Sequence, residues 1–206
     1  PAFGTSDRTK SNAYLLCKAL GLKLREINIT DAVKIHLRDI GHDGVSADTA
    51  YENAQARERT QILFDLANMH KGIVIGTGDL SEAMQGFATF NGDQMSNYSL
   101  NASLTKTEIR YIVGAIAETT ENPKLRRVLE DILDTPISPE LISQDKKEIS
   151  QKTEDIIGPY ELIDFFIYEH LTYHLLAKEI LEDAISAFSD KYDQEIIKRW
   201  LISYLS

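Results

Sequence analysis

The stretch GIVIG at 72–76, a short apolar run bounded by glycines, constrains the fold more than any other part of this sequence. Such a run is typical of a strand that is buried on both faces of a parallel sheet. A segment rich in Gly, Asn, Ser and Asp follows it over 76–103, with a short predicted helix after Asp79. In α/β sheets, ligands bind beyond the carboxyl ends of strands, and loop regions of this length are usually functional or disordered.

Helical periodicity and alternation divide the rest of the chain into further elements. The predicted elements are a helix from Ser6 or Asp7 to Gly21, a strand over 22–29, a helix from Thr30 or Asp31 to about Gly41, a helix over 50–69, helices over 106–117 and 123–133, and three helices over 160–205. This alternation favours an α/β layered fold. Two strands are too few for a sheet that such helices cover, so we expect further strands to lie outside this stretch.

The composition excludes several classes of protein. The 206 residues carry a formal net charge of −10, and an acidic surface repels the phosphates of nucleic acids. No apolar run approaches the length of a membrane-spanning helix, so we expect no membrane partner. Cys17 is the only cysteine, which excludes an internal disulfide and makes a reducing cytoplasm the simplest setting.

The predicted helix over 50–69 carries a polar stripe. Asn53 and Arg57 are four residues apart and share a face, with Gln61 one turn further along. Asn offers both a donor and an acceptor, and the planar fork of Arg suits phosphate or carboxylate. The stripe is either a ligand-binding face or an ordinary solvated helix face.

The motif GTGDLSE at 76–82 follows the predicted buried strand directly. Its glycines allow a close approach, and Thr77 presents a hydroxyl and a backbone N–H that suit a phosphate. Glu82 could hold Mg²⁺ beside that phosphate, because Mg²⁺ prefers one or two carboxylates together with phosphate oxygens. The alternative is an ordinary strand-to-helix turn with a capping residue.

A third group of residues follows over 86–107. Phe87 and Phe90 offer flat surfaces for a ring, and Asp93 supplies an acceptor. Lys106 stands at a predicted helix start, where a cation opposes the helix dipole, and this favours an anionic partner. By contrast, His170 and His174 lack a third ligand for a metal, and Trp200 is expected to pack in a core.

A series of short motifs resembles one family. The segments are PAFGTS at 1–6, YENAQAR at 51–57, GTGDLSE at 76–82, NGDQMS at 91–96, NAS at 101–103, KT at 106–107, DTPISPEL at 134–141, QKTED at 151–155 and GPYEL at 158–162. They resemble the glutamine-dependent NAD synthetases of the ATP pyrophosphatase superfamily. The resemblance implies a Rossmann-like parallel sheet of the adenine nucleotide alpha hydrolase type. It assigns an α/β nucleotide-binding part to 1–120 and a helical C-terminal extension to 121–206 of a synthetase domain that we expect to continue at both ends.

The resemblance implies a two-step ligase reaction that depends on ATP. The nicotinate carboxylate of deamido-NAD attacks the α-phosphate of ATP and releases pyrophosphate, and ammonia then displaces AMP to give NAD. Mg²⁺ accompanies ATP, and an N-terminal glutaminase domain supplies the ammonia. The enzyme is expected to be a cytoplasmic homo-oligomer without a prosthetic group. No catalytic residue is assigned, because such a protein acts mainly by positioning reactants and stabilising charge.

The resemblance also assigns roles at matching positions. The residues for ATP are Thr77 and Lys106, with Thr5, Ser6 and Ser138 as further contacts. The residues for deamido-NAD are Asn53, Arg57, Glu82, Phe87, Ala88, Thr89, Phe90 and Asp93. Glu82 is also the residue for Mg²⁺. The family often has Trp and Tyr where this chain has Phe87 and Phe90, so ring stacking is kept while a phenolic hydrogen bond is lost.

The sequence departs from the family in two important respects. The family's pyrophosphate-binding loop, a Ser-Gly-Gly-hydrophobic-Asp-Ser motif, does not occur in these 206 residues, and neither does its basic C-terminal tail. We therefore expect the 206-residue chain alone to be inactive. Two alternatives stay open. One is a non-catalytic nucleotide-binding or dimerising fragment, and the other is an ATP pyrophosphatase that adenylates a different substrate.

Overall fold

The computed structural model describes residues 3, 5–137 and 153–206, which form ten helices and two short strands. The elements are α1 (Asp7–Ala19), α2 (Thr30–Asp39), α3 (Thr49–His70), β1 (Ile75–Gly76), α4 (Leu80–Met84), β2 (Tyr98–Ser99), α5 (Lys106–Thr119), α6 (Pro123–Leu133), α7 (Thr153–Ile157), α8 (Tyr160–Tyr173), α9 (Ala177–Phe188) and α10 (Gln194–Leu205). None of the helices in these described ranges has both the length and the apolar character of a membrane span.

The strands β1 and β2 form a parallel pair, with Ile75 opposite Tyr98 and Gly76 opposite Ser99. The strand predicted over 72–76 is therefore present in its last two residues, whereas β2 was not predicted. The prediction that this run is buried on both faces is wrong. Val74 is buried, but the side chain of Ile75 is 50% exposed. Within the described residues β1 has β2 as its single neighbour, so one side of it stays open.

The strand predicted over 22–29 is also wrong, because these residues are irregular in the structure. Leu22 and Leu24, whose alternation suggested a strand, are 60% and 48% exposed. A strand requires a neighbour to accept and donate its backbone hydrogen bonds, and no described segment pairs with this one. Ile29 is buried, but it lies just before α2.

Capping side chains explain where several helices begin. Ser6 Oγ accepts a hydrogen bond from the N–H of Thr9 at the start of α1, and Asp48 accepts one from Tyr51 at the start of α3. These bonds satisfy backbone donors that a first helical turn leaves without a partner. All the helices predicted from periodicity are present, with ends within a few residues of those predicted. The short helix α7 was not predicted.

Two clusters of buried apolar side chains hold the helices together. The larger one lies among α8, α9 and α10 and includes Phe166, Ile180 and Ile197. Trp200 belongs to it, so its predicted packing role is confirmed. Full burial of a Phe or Ile side chain stabilises the fold by about 1.5–3 kcal/mol. Leu80 of α4 packs against the same cluster, which anchors the segment after β1 to the C-terminal helices.

Candidate functional site

The carboxyl end of β1 leads directly into a tight turn and the short helix α4. Gly76 ends the strand, and a Cβ there would lie only 2.8 Å from the Cβ of Ser96, so any larger residue would force Ser96 to shift. Thr77 follows and is exposed. Asp79 caps α4 by accepting from the N–H of Glu82 at 3.0 Å, and Glu82 accepts from the N–H of Asp79 at 3.2 Å. This reciprocal capping box fixes both carboxylates close to the carboxyl end of β1.

Lys106, the first residue of α5, points its ammonium group at these two carboxylates. Its Nζ lies 2.6 Å from Asp79 Oδ2 and 2.7 Å from Glu82 Oε1. The Lys106 and Asp79 side chains are 18% and 2% exposed, so the pair is largely shielded from water. The anion beside this unusually placed lysine is thus a pair of the chain's own carboxylates. One positive and two negative groups leave the cluster with a formal charge of −1.

Electrostatics keep Lys106 charged. Burial by itself lowers the pKa of the Lys106 ammonium, but its hydrogen bonds to Asp79 and Glu82 outweigh that cost and hold the pKa above the ordinary lysine value. The Lys106 ammonium also lies 5.6 Å from the ring centre of Tyr160, within the range of a cation–π contact. Burial, followed by the nearby Glu82 and Asp79 carboxylates, raises the pKa of Tyr160, so its hydroxyl stays neutral.

A cleft of about 660 Å³ opens next to this cluster. Thr107 and Tyr160 form part of its wall, Arg110 and Lys191 add positive charge, and Asp134, Glu154 and Glu161 add negative charge. Its volume lies within the roughly 300–1,000 Å³ of typical small-ligand pockets. The cleft is therefore large enough for a small ligand, although Lys106 itself is not among its lining residues.

A second group of predicted residues lies where the loop after α4 crosses α3. Arg57 donates from Nε and from a terminal nitrogen to the carbonyl oxygen of Phe90, at 3.2 and 3.1 Å. Thr60 donates to the carbonyl oxygen of Gly92 at 2.8 Å. A Cβ on Gly92 would lie 2.6 Å from the Cβ of Ala56, so the loop rests against α3 at backbone distance. The helix and the loop together form one surface.

Comparison with known proteins identifies the family. The sequence profile described as NAD synthase matches residues 1–201. This chain belongs to the NAD synthase family.

The curated relatives are NAD(+) synthetases that are longer than this chain. The chain is 45% identical over 196 residues to the glutamine-dependent NAD(+) synthetase of Mycobacterium leprae, covering 92% of this chain. It is 41% identical to that of Mycobacterium tuberculosis strain H37Rv, again over 92% of this chain. It spans 29% of the length of each of these relatives.

Solved structures of NAD synthetases show the same fold. A glutamine-dependent NAD(+) synthetase from Cytophaga hutchinsonii matches 98% of this chain and 31% of its own chain, with a TM-score of 0.71 at 18% identity. An NMN synthetase from Francisella tularensis matches 94% of this chain and 73% of its own, with a TM-score of 0.64 at 23% identity. The predicted α/β Rossmann-like fold is therefore confirmed, in a helix-rich form with a small parallel sheet.

The structure brings together only part of the site predicted for this NAD synthase chain. Lys106 contacts Glu82, and Arg57 contacts Phe90. Ser6 instead caps α1, which packs against α6. Thr5 precedes this cap. Ser138 lies outside the described residues.

The remaining predicted residues lie on α3 and on the loop after α4. Asn53 is buried at 8% exposure, and Phe90 is 70% exposed. The hydroxyl of Thr89 accepts from the N–H of Asp93 at 3.0 Å. Phe87 is half-buried and Ala88 is exposed. This loop therefore presents one large ring to solvent and holds its turn with internal hydrogen bonds.

Sequence reasoning missed three residues, which lie in the cluster around Lys106 or where the loop after α4 meets α3. Asp79 pairs with Lys106, Tyr160 lies under it, and Arg59 forms an ion pair with Asp93. Asp79 stands inside the GTGDLSE motif, and its place before a helix indicated a cap but not an ion pair. Arg59 is two positions beyond Arg57, so helical spacing alone gave no reason to place both beside one loop.

Proposed function

We propose that this chain is part of a glutamine-dependent NAD synthetase, which forms NAD from deamido-NAD, ATP and ammonia derived from glutamine. The observation that supports this most directly is the Lys106 ammonium held between Asp79 and Glu82 at the carboxyl end of β1. Strand ends of this kind bind nucleotides in α/β folds. The 45% identity to a curated glutamine-dependent NAD(+) synthetase supports the same reaction.

In this proposal Lys106 and Thr77 bind the phosphates of ATP, with Thr5, Ser6 and Ser138 as further ATP contacts. Lys106 exchanges its carboxylate partners for phosphate oxygens, and its persistent positive charge stabilises the charge that develops when pyrophosphate leaves. The largely buried position strengthens this interaction, because low local polarity increases electrostatic energies.

The carboxylates around Lys106 also fit a divalent cation. A cationic nitrogen already lies within 2.7 Å of oxygens from both Asp79 and Glu82, so the donor set accepts positive charge. Among the described residues, no group of three or more His, Cys, Asp or Glu is arranged for a metal, so a Mg²⁺ ion here would need phosphate oxygens and water as further ligands. Glu82 would hold Mg²⁺, which neutralises phosphate charge when bound.

Deamido-NAD is proposed to lie on the surface formed by α3 and the loop after α4. The residues proposed to contact it are Asn53, Arg57, Glu82, Phe87, Ala88, Thr89, Phe90 and Asp93. The exposed ring of Phe90 suits stacking on a flat ring, and the buried amide of Asn53 suits a directional hydrogen bond. The nicotinate carboxylate then attacks the α-phosphorus, pyrophosphate leaves, and ammonia displaces AMP from the mixed anhydride.

The test uses the natural polypeptide that carries this chain. Purified protein is given deamido-NAD, ATP, Mg²⁺ and either glutamine or ammonium, and NAD, AMP and pyrophosphate are quantified. We expect the three products in equal amounts, and Lys106→Ala is expected to lower kcat/KM about 100-fold. Lys178→Ala, which removes an exposed lysine on α9, is the matched control and is expected to behave like wild type.

Two outcomes would argue against this function. A wild-type protein that makes no NAD would exclude it, and faster amidation of nicotinic acid mononucleotide would reassign the substrate. NAD formation by the 206-residue chain alone would contradict the expected need for the pyrophosphate-binding loop. No NAD formation by that chain is the expected result.

A further inference from the structure

A carboxylate on α8 joins the two helices that carry Glu82 and Lys106, which are α4 and α5. Asp164 is 5% exposed and lies beyond the cluster around Lys106. Its Oδ1 accepts a hydrogen bond from the hydroxyl of Ser81 on α4, and its Oδ2 accepts one from the N–H of Thr107 on α5 at 2.7 Å. One side chain of α8 therefore holds the starts of α4 and α5 at a fixed spacing.

Ser81 completes this link. Its Oγ accepts the backbone N–H of Lys106 at 2.8 Å, so its own proton is directed to Asp164. Ser81 is fully buried, and the chain from Lys106 N–H through Ser81 to Asp164 is shielded from solvent. Buried polar networks in which every group has a partner are rigid, because each broken bond leaves a desolvated group.

Hydrogen bonds to side chains also occupy the backbone N–H groups in the first turn of α5, which have no partner within the helix. The N–H groups of Lys106, Thr107 and Glu108 donate to Ser81, Asp164 and Thr105, in that order. These are groups that a helix N-terminus otherwise offers to a phosphate. In the first turn of α5 the Lys106 ammonium is consequently the group that can bind an anion, and its position matters correspondingly more.

We propose that Asp164 is a positioning residue for Lys106, acting through Ser81 and Thr107 to hold the ammonium at the nucleotide site. The proposal rests on the function proposed above for Lys106. Asp164 belongs to the stretch 121–206 that the sequence assigns to a helical extension, yet its hydrogen-bond partners belong to 1–120. The helical part is therefore a component of the nucleotide site.

Asp164→Asn tests this with little change in shape. The asparagine side chain has one carbonyl oxygen, whereas Asp164 accepts hydrogen bonds from both Ser81 and Thr107. Its NH₂ group would face one of these two donors, so one hydrogen bond is lost. In the natural polypeptide we expect MgATP binding, measured by calorimetry, to weaken about tenfold, as for loss of a hydrogen bond to a charged group. The KM for ATP should rise in step, while the KM for deamido-NAD should stay within about twofold, because the residues proposed for deamido-NAD other than Glu82 lie on α3 and the loop after α4.

A role that is only structural would give a different pattern. Ile167→Val, in the core of the same helix, should lower the unfolding midpoint and leave both KM values unchanged. If Asp164→Asn behaves like Ile167→Val, the positioning role is excluded. If Asp164→Asn does not fold, Ser81→Ala breaks the same link without altering a buried charge, and the same rise in the KM for ATP is expected.

A double-mutant cycle shows whether Asp164 acts through Lys106. In a Lys106→Ala background, Asp164→Asn should have no further effect on MgATP affinity, whereas independent roles would give additive losses and overturn the proposal. The two proposals can be separated. A wild type that neither binds ATP nor forms NAD would overturn both, whereas an active wild type with an unaltered Asp164→Asn variant would overturn only this one.

Discussion

The ammonium nitrogen of Lys106 lies 2.6 Å from Oδ2 of Asp79, a carboxylate whose side chain is 2% exposed. Asp79 has two roles in the structure, since it also caps α4 through the N–H of Glu82. The ion pair joins the starts of α4 and α5, and the cap sets where α4 begins. Substitutions that separate the two roles are therefore informative.

Asp79→Asn and Asp79→Ala should differ in stability. Asparagine caps a helix about as well as aspartate, so Asp79→Asn loses mainly the charged hydrogen bond to Lys106, at a cost of about 2 kcal/mol. Asp79→Ala also loses the cap, which costs about 1 kcal/mol more. Urea unfolding monitored by circular dichroism measures both. Equal losses would mean that the cap contributes nothing, and Asp31→Asn, on the exposed first turn of α2, serves as the near-neutral control.

Gly92→Ala should separate the loop after α4 from α3. The new methyl group would lie 2.6 Å from the Cβ of Ala56, and overpacking of this kind costs about 1–3 kcal/mol. We expect a lower unfolding midpoint and weaker binding of deamido-NAD, with ATP binding little changed. Gly72→Ala is the matched control, because its nearest neighbour is a backbone oxygen at 4.0 Å. Similar effects at both positions would contradict the close loop–helix contact.

Arg57→Lys should loosen the same loop without removing the charge. The guanidinium donates twice to the carbonyl oxygen of Phe90, and lysine cannot reproduce this fork. Loss of about 1 kcal/mol of local stability corresponds to roughly fivefold faster amide exchange at Gly92 and Asp93. Hydrogen exchange with mass spectrometry measures this. Arg38→Lys, at an exposed arginine paired with its neighbour Asp39, should leave the exchange unchanged.

Asp43 should make stability depend on acid pH. Hydrogen bonds from the Ser46 hydroxyl and from the N–H groups of Val45 and Ser46 lower the pKa of Asp43 from 3.8 to about 2. A carboxyl with a lowered pKa in the folded state contributes stability that is present above its unfolded pKa and is lost as the pH falls towards about 2. The difference in unfolding midpoint between wild type and Asp43→Asn should therefore shrink between pH 5 and pH 2.5. A constant difference would contradict the hydrogen-bonded loop.

The helices could be predicted from sequence because their determinants are local. Ser6 and Asp48 cap helices within three residues of themselves, and apolar periodicity extends over each helix. The strands depend on partners that are distant in sequence, and this is why 22–29 was predicted wrongly and β2 was missed. Residue 98 pairs with residue 75 across a polar loop whose path no local pattern determines.

The candidate site was predictable only where a local pattern marked a residue. Glu82 lies in the GTGDLSE motif, and Lys106 was marked as a cation at a predicted helix start, whereas the pairing of Asp79 with Lys106 was missed. Asp164 lies 83 positions beyond Ser81, and no spacing rule connects the two. The one indication in the sequence is a carboxylate within the apolar run LIDFFI at 162–167, where a buried charge requires a partner.

The attachment of Asp164 to Ser81 and Thr107 also connects ligand binding to the opening of the C-terminal helices. Asp164 shares α8 with Phe166 and Ile167, which belong to the larger core cluster, so α8 cannot unfold locally without releasing the starts of α4 and α5. A ligand that binds only the closed form raises the free energy of that opening in proportion to the logarithm of its concentration. Amide protons of α8 that no ligand touches will then exchange more slowly when the nucleotide site is filled.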